Sequence, residues 1–425
     1  MSSPTETPIE ESLRVAARRF GTPLFVTDLA TVDAACAAAT AAFPDPIIRQ
    51  YSVKANDVPA VIARVASQGF GANVVSRGEW ALAHRAGVPN ARITLEGVGK
   101  TPADLRDAVR AAAAGSPLRW IALESPEEAQ ALALTVRRTR QARLRIDVLY
   151  RLNPDVIPET HAGLAVGSGA SKFGMTETEI GEAIEAGGGP DGLLRPRGIH
   201  LHVGSQLGAV DAWRDAVRKA VAMAALWRGS IETFDTVDLG GGFPVLPADQ
   251  PSPAPERFAR ELPAALETVP DDRRPTRLAI EPGRALVARA GWLVARVLHV
   301  RDRGGRQVVI DAGMTELIRP ALYGARHPIV ALTSLGREFV PGAAAGQGAE
   351  PARVEGPICE STDSLGTHGL PPLRRGDLVA IADAGAYAAS LGSAYNGRPR
   401  PPQVMRAPDG SLTVGRRRGS LASLG

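Results

Sequence analysis

Cysteine is nearly missing from this chain: two residues in 425, Cys36 and Cys359. Two thiols exclude a disulfide framework as the source of stability and fit a reducing, cytoplasmic setting. Cys36 lies in an alanine-rich amphipathic stretch and reads as packing. Lysine is almost as scarce, at positions 54, 100, 172 and 219. Aromatic residues make up 4% of the chain, and 49 Lys plus Arg barely exceed 45 Asp plus Glu. Phosphate-backbone binding wants a concentrated basic face interleaved with stacking rings, so a nucleic-acid partner is not expected. The cluster Arg416, Arg417 and Arg418 reads as a solvated tail. No apolar run approaches the ~20 residues of a membrane span, and MSSPTETPIEES has no basic segment leading into an apolar one. No membrane partner is expected either.

What the chain does have is alternation. Short apolar runs, PLFVTD, IIRQYSV, GANVV, ARITLEG, RWIALES, RIDVLYRL, RPRGIHLHV, TVDLGG and RLAIEPG, are separated by amphipathic stretches such as VPAVIARVASQG and ADLRDAVRAAAAG. That is the grammar of βα units in a parallel sheet. The number of strands favours a closed (β/α)8 TIM-like barrel, with an open doubly wound sheet as the alternative. After about Gly291 the runs shorten and are split by Gly, Pro and Asp, as in VARVLHVRD, QVVIDAG, REFV, ARVEGP and DLVAIAD. These predict an antiparallel β domain, with PGAAAGQGAEP (341–351) as an insertion. A chain this long accommodates two domains.

Barrel enzymes place their chemistry at the carboxyl ends of strands. The residues ending these runs include Lys54, Asn73, Glu96, Glu124, Arg151, His202, the run Gly240, Gly241 and Gly242, and Glu281 followed by Pro282, Gly283 and Arg284. Three glycines after a strand let backbone N–H groups approach an anion, although GGG alone reads equally well as a tight turn. Lys54, His202 and Glu281 say more together. An aldehyde cofactor such as pyridoxal 5'-phosphate needs an amine for a Schiff base, a plate beside its ring, a carboxylate at the pyridine nitrogen and a phosphate nest. By residue type alone the same three side chains also suit a buried polar network.

The strings YSVKAN (51–56), HLHVGSQ (200–206), LGGGFP (239–244) and EPGR (281–284), with SKFGM, DAGM, IRPALYGARHPI, GPICES and DAGAY further along, resemble the fold-type III pyridoxal-phosphate decarboxylases over nearly the whole chain. Within that group the later strings look most like diaminopimelate decarboxylase. The resemblance implies an alanine racemase-like fold: a cofactor-binding barrel over 25–288, and a β domain from 1–24 and 289–425 that completes the active site at a homodimer interface. It makes Lys54 the Schiff-base residue, His202 the ring-stacking residue and Glu281 the partner of the pyridine nitrogen. Ser205, Gly241, Gly242, Gly283, Arg284 and Tyr387 would hold the cofactor. Arg284, Arg319, Tyr323, Glu360 and Tyr387 would bind the amino-acid substrate, and Cys359 would protonate the product carbon. No metal is implied. Two arginines suit a distal carboxylate and a glutamate the ammonium beside it.

The sequence also departs from the family's pattern. Asn73 stands where an aspartate is typical, ITLEGVGKT (93–101, with Val98) lacks the usual glycine-asparagine pair, and Val166 replaces a threonine. These changes keep open a specialised or conjugated amino acid as substrate, in place of meso-2,6-diaminopimelate. EPGR argues against a racemase, which would set an arginine at the pyridine nitrogen, and the β domain with Cys359 argues against a non-catalytic cofactor carrier.

Overall fold

The structure, a computed structural model, describes residues 8–156, 160, 161, 163, 167, 171–247, 250, 252–339 and 349–424. Val166 and most of the 341–351 insertion lie outside the described residues. The chain divides into two compact units, one of Cys36–Ala285 and one of Met1–Ala35 with Leu286–Gly425.

The first strand, β1 (Leu24–Asp28), corrects the sequence reading. PLFVTD was grouped with the barrel runs, yet β1 pairs antiparallel with β10 (Gly291–Asp302) and parallel with β18 (Gln403–Arg406), so it belongs to the β unit. All five of its residues are buried. A strand covered on both faces has the same continuous apolar signature in either architecture.

The Cys36–Ala285 unit is a closed ring of eight parallel strands: β2 (Ile48–Ser52), β3 (Gly71–Val74), β4 (Ile93–Leu95), β5 (Trp120–Leu123), β6 (Ile146–Leu152), β7 (Leu194–Leu201), β8 (Thr236–Asp238) and β9 (Arg277–Ile280). The ring closes where Ile48 of β2 faces Ala279 of β9. Trp120, Ala122, Leu149 and Ala279, from strands on different sides of the ring, form one apolar cluster with Ile48 packed against it. The barrel is therefore filled, and its polar chemistry is pushed to the strand ends.

Helices follow where the sequence supplies caps. The Thr101 hydroxyl accepts the Asp104 N–H while the Asp104 carboxylate accepts the Thr101 N–H, starting Pro102–Ala113. Thr176 and Glu179 make the same reciprocal pair ahead of Glu177–Ala186. Each such cap contributes about 1 kcal/mol. Cys36 is buried within Leu29–Ala42, as expected of a packing residue.

The β unit holds a nine-stranded, mostly antiparallel sheet. Besides β1, β10 and β18 it contains β11 (Arg306–Ile310), β12 (Ile329–Ala331), β15 (Glu350–Glu355), β16 (Ser364–Leu370), β17 (Leu378–Ile381) and β19 (Leu412–Arg416), with a separate hairpin of β13 (Thr333–Ser334) and β14 (Arg337–Glu338). A second parallel pairing joins β11 and β15. Helix Ile9–Phe20 buries Leu13, Ala16 and Ala17 against Leu24, Val26, Val294 and Val404. A buried pair, Arg406 Nη1 to Asp28 Oδ1 at 2.8 Å, ties β18 to β1. The solvated-tail reading of the arginine cluster holds for exposure at Arg417 and Arg418 but not for a free tail. Arg416 ends β19, and Arg418 Nη2 donates to the carbonyls of Phe20 and Pro23.

Candidate active site

Lys54 sits in a single 3-10 turn, Val53–Ala55, directly after β2. Its neighbours Val53 and Ala55 are fully buried, which fixes the turn. Ser52 lashes that turn to the end of β9: its N–H donates to Pro282 O at 3.2 Å and its hydroxyl to Glu281 O at 3.1 Å. Gly283 packs against the same place, where a Cβ would stand 3.0 Å from Ser52 Cβ and 3.2 Å from Ala55 Cβ. The small residues of VKAN and EPG are therefore consequences of two strand ends meeting.

The turns after β7 and β8 are stitched together in the same way. Gly241 N–H donates to His202 Nδ1 at 3.2 Å, and Leu207 N–H donates to Gly242 O at 3.2 Å. A Cβ at 241 would meet Glu281 O at 2.5 Å, and Gly240 (φ +66°) and Gly242 (φ +102°) occupy backbone that favours glycine. Because Nδ1 of His202 accepts, the ring proton belongs on Nε2. Burial, then the charges of Lys54 and Arg151, hold this imidazole well below its usual pKa. His202 is thus a neutral plate in a set orientation. Ser205 Oγ accepts from Arg284 Nη2 at 3.2 Å, bringing two more expected cofactor residues together.

Glu281 is buried, and one of its oxygens, Oε1, has no hydrogen-bond partner among the described residues. His200 Nε2 lies 3.4 Å from that oxygen and 3.5 Å from Glu96 Oε2. Asn73 Nδ2 donates to Glu96 Oε2 at 2.8 Å. Asp238 Oδ1 accepts the Gly240 N–H at 3.1 Å, and Asp238 is fully buried. Burial first, and Glu281 second, raise Glu96 from 4.5 to about 8 and push Asp238 well above the carboxylate range. Burial lowers His200 from 6.5 to about 4.

His200 and Asp238 were not singled out in the sequence. Their signal was position: His200 sits two residues before His202, on the same face of an extended chain, and Asp238 is the last residue of β8. The Asn73 departure and the unusual LEG string, read as separate features, prove to be hydrogen-bonded to each other. Val98, in the same ITLEGVGKT departure, is exposed. Glu79 was missed too; burial raises its pKa against the opposing pull of Lys54.

These residues fit pyridoxal 5'-phosphate. Glu281 offers a buried carboxylate oxygen with no hydrogen-bond partner among the described residues, His202 a neutral ring of fixed orientation, and Lys54 an amine on a rigid turn. The glycine turns leave backbone where side chains would intrude.

The remaining candidates belong to the β unit. Arg319 is buried, and its Nη1 lies 2.9 Å from His327 Nε2. His327 Nδ1 faces the Ala382 carbonyl at 3.1 Å, so Nδ1 carries the proton and Nε2 accepts from the arginine. Asp363 accepts the N–H groups of Met314 at 2.6 Å and Ile358 at 2.7 Å, which anchors the loop bearing Cys359 and Glu360. Cys359 is exposed, so it is not the small buried hydrophobe that a lone cysteine often is. Glu360 is exposed as well and accepts from the Tyr395 hydroxyl at 2.7 Å. Tyr323 and Tyr387 are half-buried, Tyr387 at φ +54°.

Comparison with known proteins gives a consistent picture. Residues 29–288 match the family described as pyridoxal-dependent decarboxylase, pyridoxal binding domain. The chain is 35% identical over 412 residues to the diaminopimelate decarboxylase of Aquifex aeolicus, covering 96% of this chain and 91% of that one. It is 37% identical over 401 residues to that of Actinosynnema pretiosum, covering 91% and 84%. Among solved structures it is similar to Helicobacter pylori diaminopimelate decarboxylase complexed with L-lysine, with a TM-score of 0.86 at 28% identity, covering 97% and 98%.

Proposed function

The chain belongs to the pyridoxal-dependent decarboxylase family, and from that premise we propose that it removes carbon dioxide from meso-2,6-diaminopimelate to give L-lysine. The observation that carries the substrate is the similarity to diaminopimelate decarboxylases across both units of the chain. Pyridoxal 5'-phosphate, when bound, supplies an aldehyde for the substrate's amine and a pyridinium ring that takes up the electrons left as carbon dioxide departs.

In this reading Lys54 Nζ would be the amine that holds the cofactor covalently. His202 would lie against the cofactor's ring, and Glu281 would be the carboxylate that keeps its pyridine nitrogen protonated. Gly241, Gly242, Gly283, Arg284 and Tyr387 would hold the phosphate, with Ser205 a further cofactor-binding residue. Arg284, Arg319 and Tyr323, with Tyr387, grip the carboxylate of the substrate's far end, and Glu360 takes its ammonium. Cys359 Sγ delivers the proton that replaces the lost carboxylate at Cα. The exposure of Cys359 and Glu360 supports a homodimer in which these two residues serve the site of a second copy. None of the described helices is long and apolar enough to cross a membrane, and the scarcity of cysteine supports a cytoplasmic setting.

The test is carbon dioxide release from meso-diaminopimelate, lysine, ornithine, arginine and glutamyl or citryl conjugates by the cofactor-loaded protein. Release from meso-diaminopimelate far above the others is expected. Turnover of a conjugate in its place would move the substrate to a specialised amino acid. No release from any of them would leave a non-catalytic cofactor binder.

A further inference from the structure

Behind Glu281 the barrel buries more acid than it can hold ionised. Glu96 follows β4, Asp238 ends β8 and Glu281 follows β9, with His200 of β7 among them. One ligand atom from each of Glu96, His200 and Glu281 lies within 4.8 Å of the other two. The charged groups facing this set are Lys54, from the turn after β2, Arg119, which precedes β5 and acts on Asp238, and Arg151 of β6, already paired with Glu124 at 2.5 Å. His200 contributes no positive charge near neutral pH. One ammonium and one guanidinium do not balance three carboxylates out of water, and carboxylates this close do not all ionise. Protons must stay in the cluster.

Asn73 fixes the position of one candidate for such a proton, Glu96. An asparagine at the end of β3 adds no charge, and its amide N–H fixes Glu96 by donating to Oε2. Thr94 Oγ1 lies 3.4 Å from Oε1, so both oxygens of Glu96 have a neighbour that fixes them, with a Glu281 oxygen within 4.8 Å of one of them. Both nitrogens of His200, Glu281 Oε1 and Asp238 Oδ2 are buried with no hydrogen-bond partner among the described residues. A neutral His200 offers one N–H and one lone pair, so a protonated carboxyl supplies the further donor that the carboxylate oxygens need.

We propose that Glu96 is a positioning residue: held by Asn73 and set beside His200 and Glu281, it keeps a proton against Glu281 and so tunes how firmly Glu281 holds the ring nitrogen of the cofactor. The inference rests on the reading of Glu281 as the partner of that nitrogen. The step is a proton displacement alone: the Glu96 O–H donates toward Glu281, and no bond to carbon and no electron is involved. Loss of that proton places a second anion beside Glu281, and with Glu96 raised to about 8 this falls in the mildly alkaline range.

The test uses the full chain loaded with pyridoxal phosphate labelled with 15N in the ring, followed by infrared difference spectroscopy and 15N NMR from pH 6.5 to 9.5. The expected result is a carboxylic-acid C=O band that disappears with a midpoint near pH 8, and a ring-nitrogen shift that moves with the same midpoint. In Glu96→Gln both steps should be lost while the cofactor remains bound. Asn73→Ala, which removes a donor to the ionised form, should move both steps to higher pH and stands in if Glu96→Gln does not fold. A band that does not titrate, steps that persist in Glu96→Gln, or steps unmoved in Asn73→Ala would overturn the proposal. Failure of the underlying reading has a different signature: borohydride would then fix no pyridoxyl group to Lys54, whatever the infrared band does.

Discussion

The two units present their candidate residues in opposite ways. In the barrel, Glu281, Glu96, His200 and Asp238 are buried, and the Lys54, His202 and glycine turns are cross-linked by backbone hydrogen bonds. In the β unit, Cys359 and Glu360 stand exposed on a loop anchored from behind by Asp363, and Arg319 alone of the distal set is buried. A rigid, desolvated cluster suits electronic work on a cofactor, where a small displacement is costly. Exposed groups on an anchored loop suit recognition, completed when something covers them.

Substitutions should separate the two units, starting with the largest effect. Lys54→Ala should abolish both carbon dioxide release and the borohydride-fixed adduct, because no other residue can take over covalent attachment. Glu281→Gln should lower kcat by about 100-fold with the cofactor still bound, as expected when a charged group stabilising the transition state is lost. Glu360→Gln should act on recognition, raising KM by about 10-fold, in line with ~1.5 kcal/mol for a hydrogen bond to a charged group. Its cofactor absorption should be unchanged. If Glu281→Gln and Glu360→Gln altered absorption and KM alike, the division between the units would fail.

Smaller effects concern the barrel's own construction. Gly241→Ala should cost about 1–3 kcal/mol, since its Cβ would fall 2.5 Å from Glu281 O; thermal unfolding measures this. The buried ionisable groups also give stability a pH dependence. Glu96 is raised from 4.5 to about 8, so its contribution is fully present below 4.5 and lost as pH rises through 8. His200 is lowered from 6.5 to about 4, so its contribution is lost as pH falls from 6.5 through 4. Between pH 6.5 and 8 only the first of these two acts. Over that window the Tm of Glu96→Gln should fall less steeply than that of the wild type.

What the sequence made legible follows the same division. Eight of the nine apolar runs assigned to the barrel are its strands, and Lys54, His202 and Glu281 lie at the ends where strand-end reasoning put them. PLFVTD misled because burial on both faces looks the same in a barrel and in the β unit's sheet. In the β unit, β12, β16, β18 and β19 were not foreseen. β16, SLGTHGL, is interrupted by glycines, and β19, LTVGR, has no buried residue, so neither carries a clean alternation. His200 and Asp238 escaped notice because a lone histidine or aspartate shows nothing unusual until tertiary structure buries it beside others.

Lysine scarcity makes the central claim directly measurable. The cofactor-loaded protein would be reduced with borohydride, digested and mapped by mass spectrometry for pyridoxyl-lysine at positions 54, 100, 172 and 219. The account expects one adduct per chain, on Lys54 alone. An adduct on any other lysine, or none on Lys54 with the cofactor present, would contradict it.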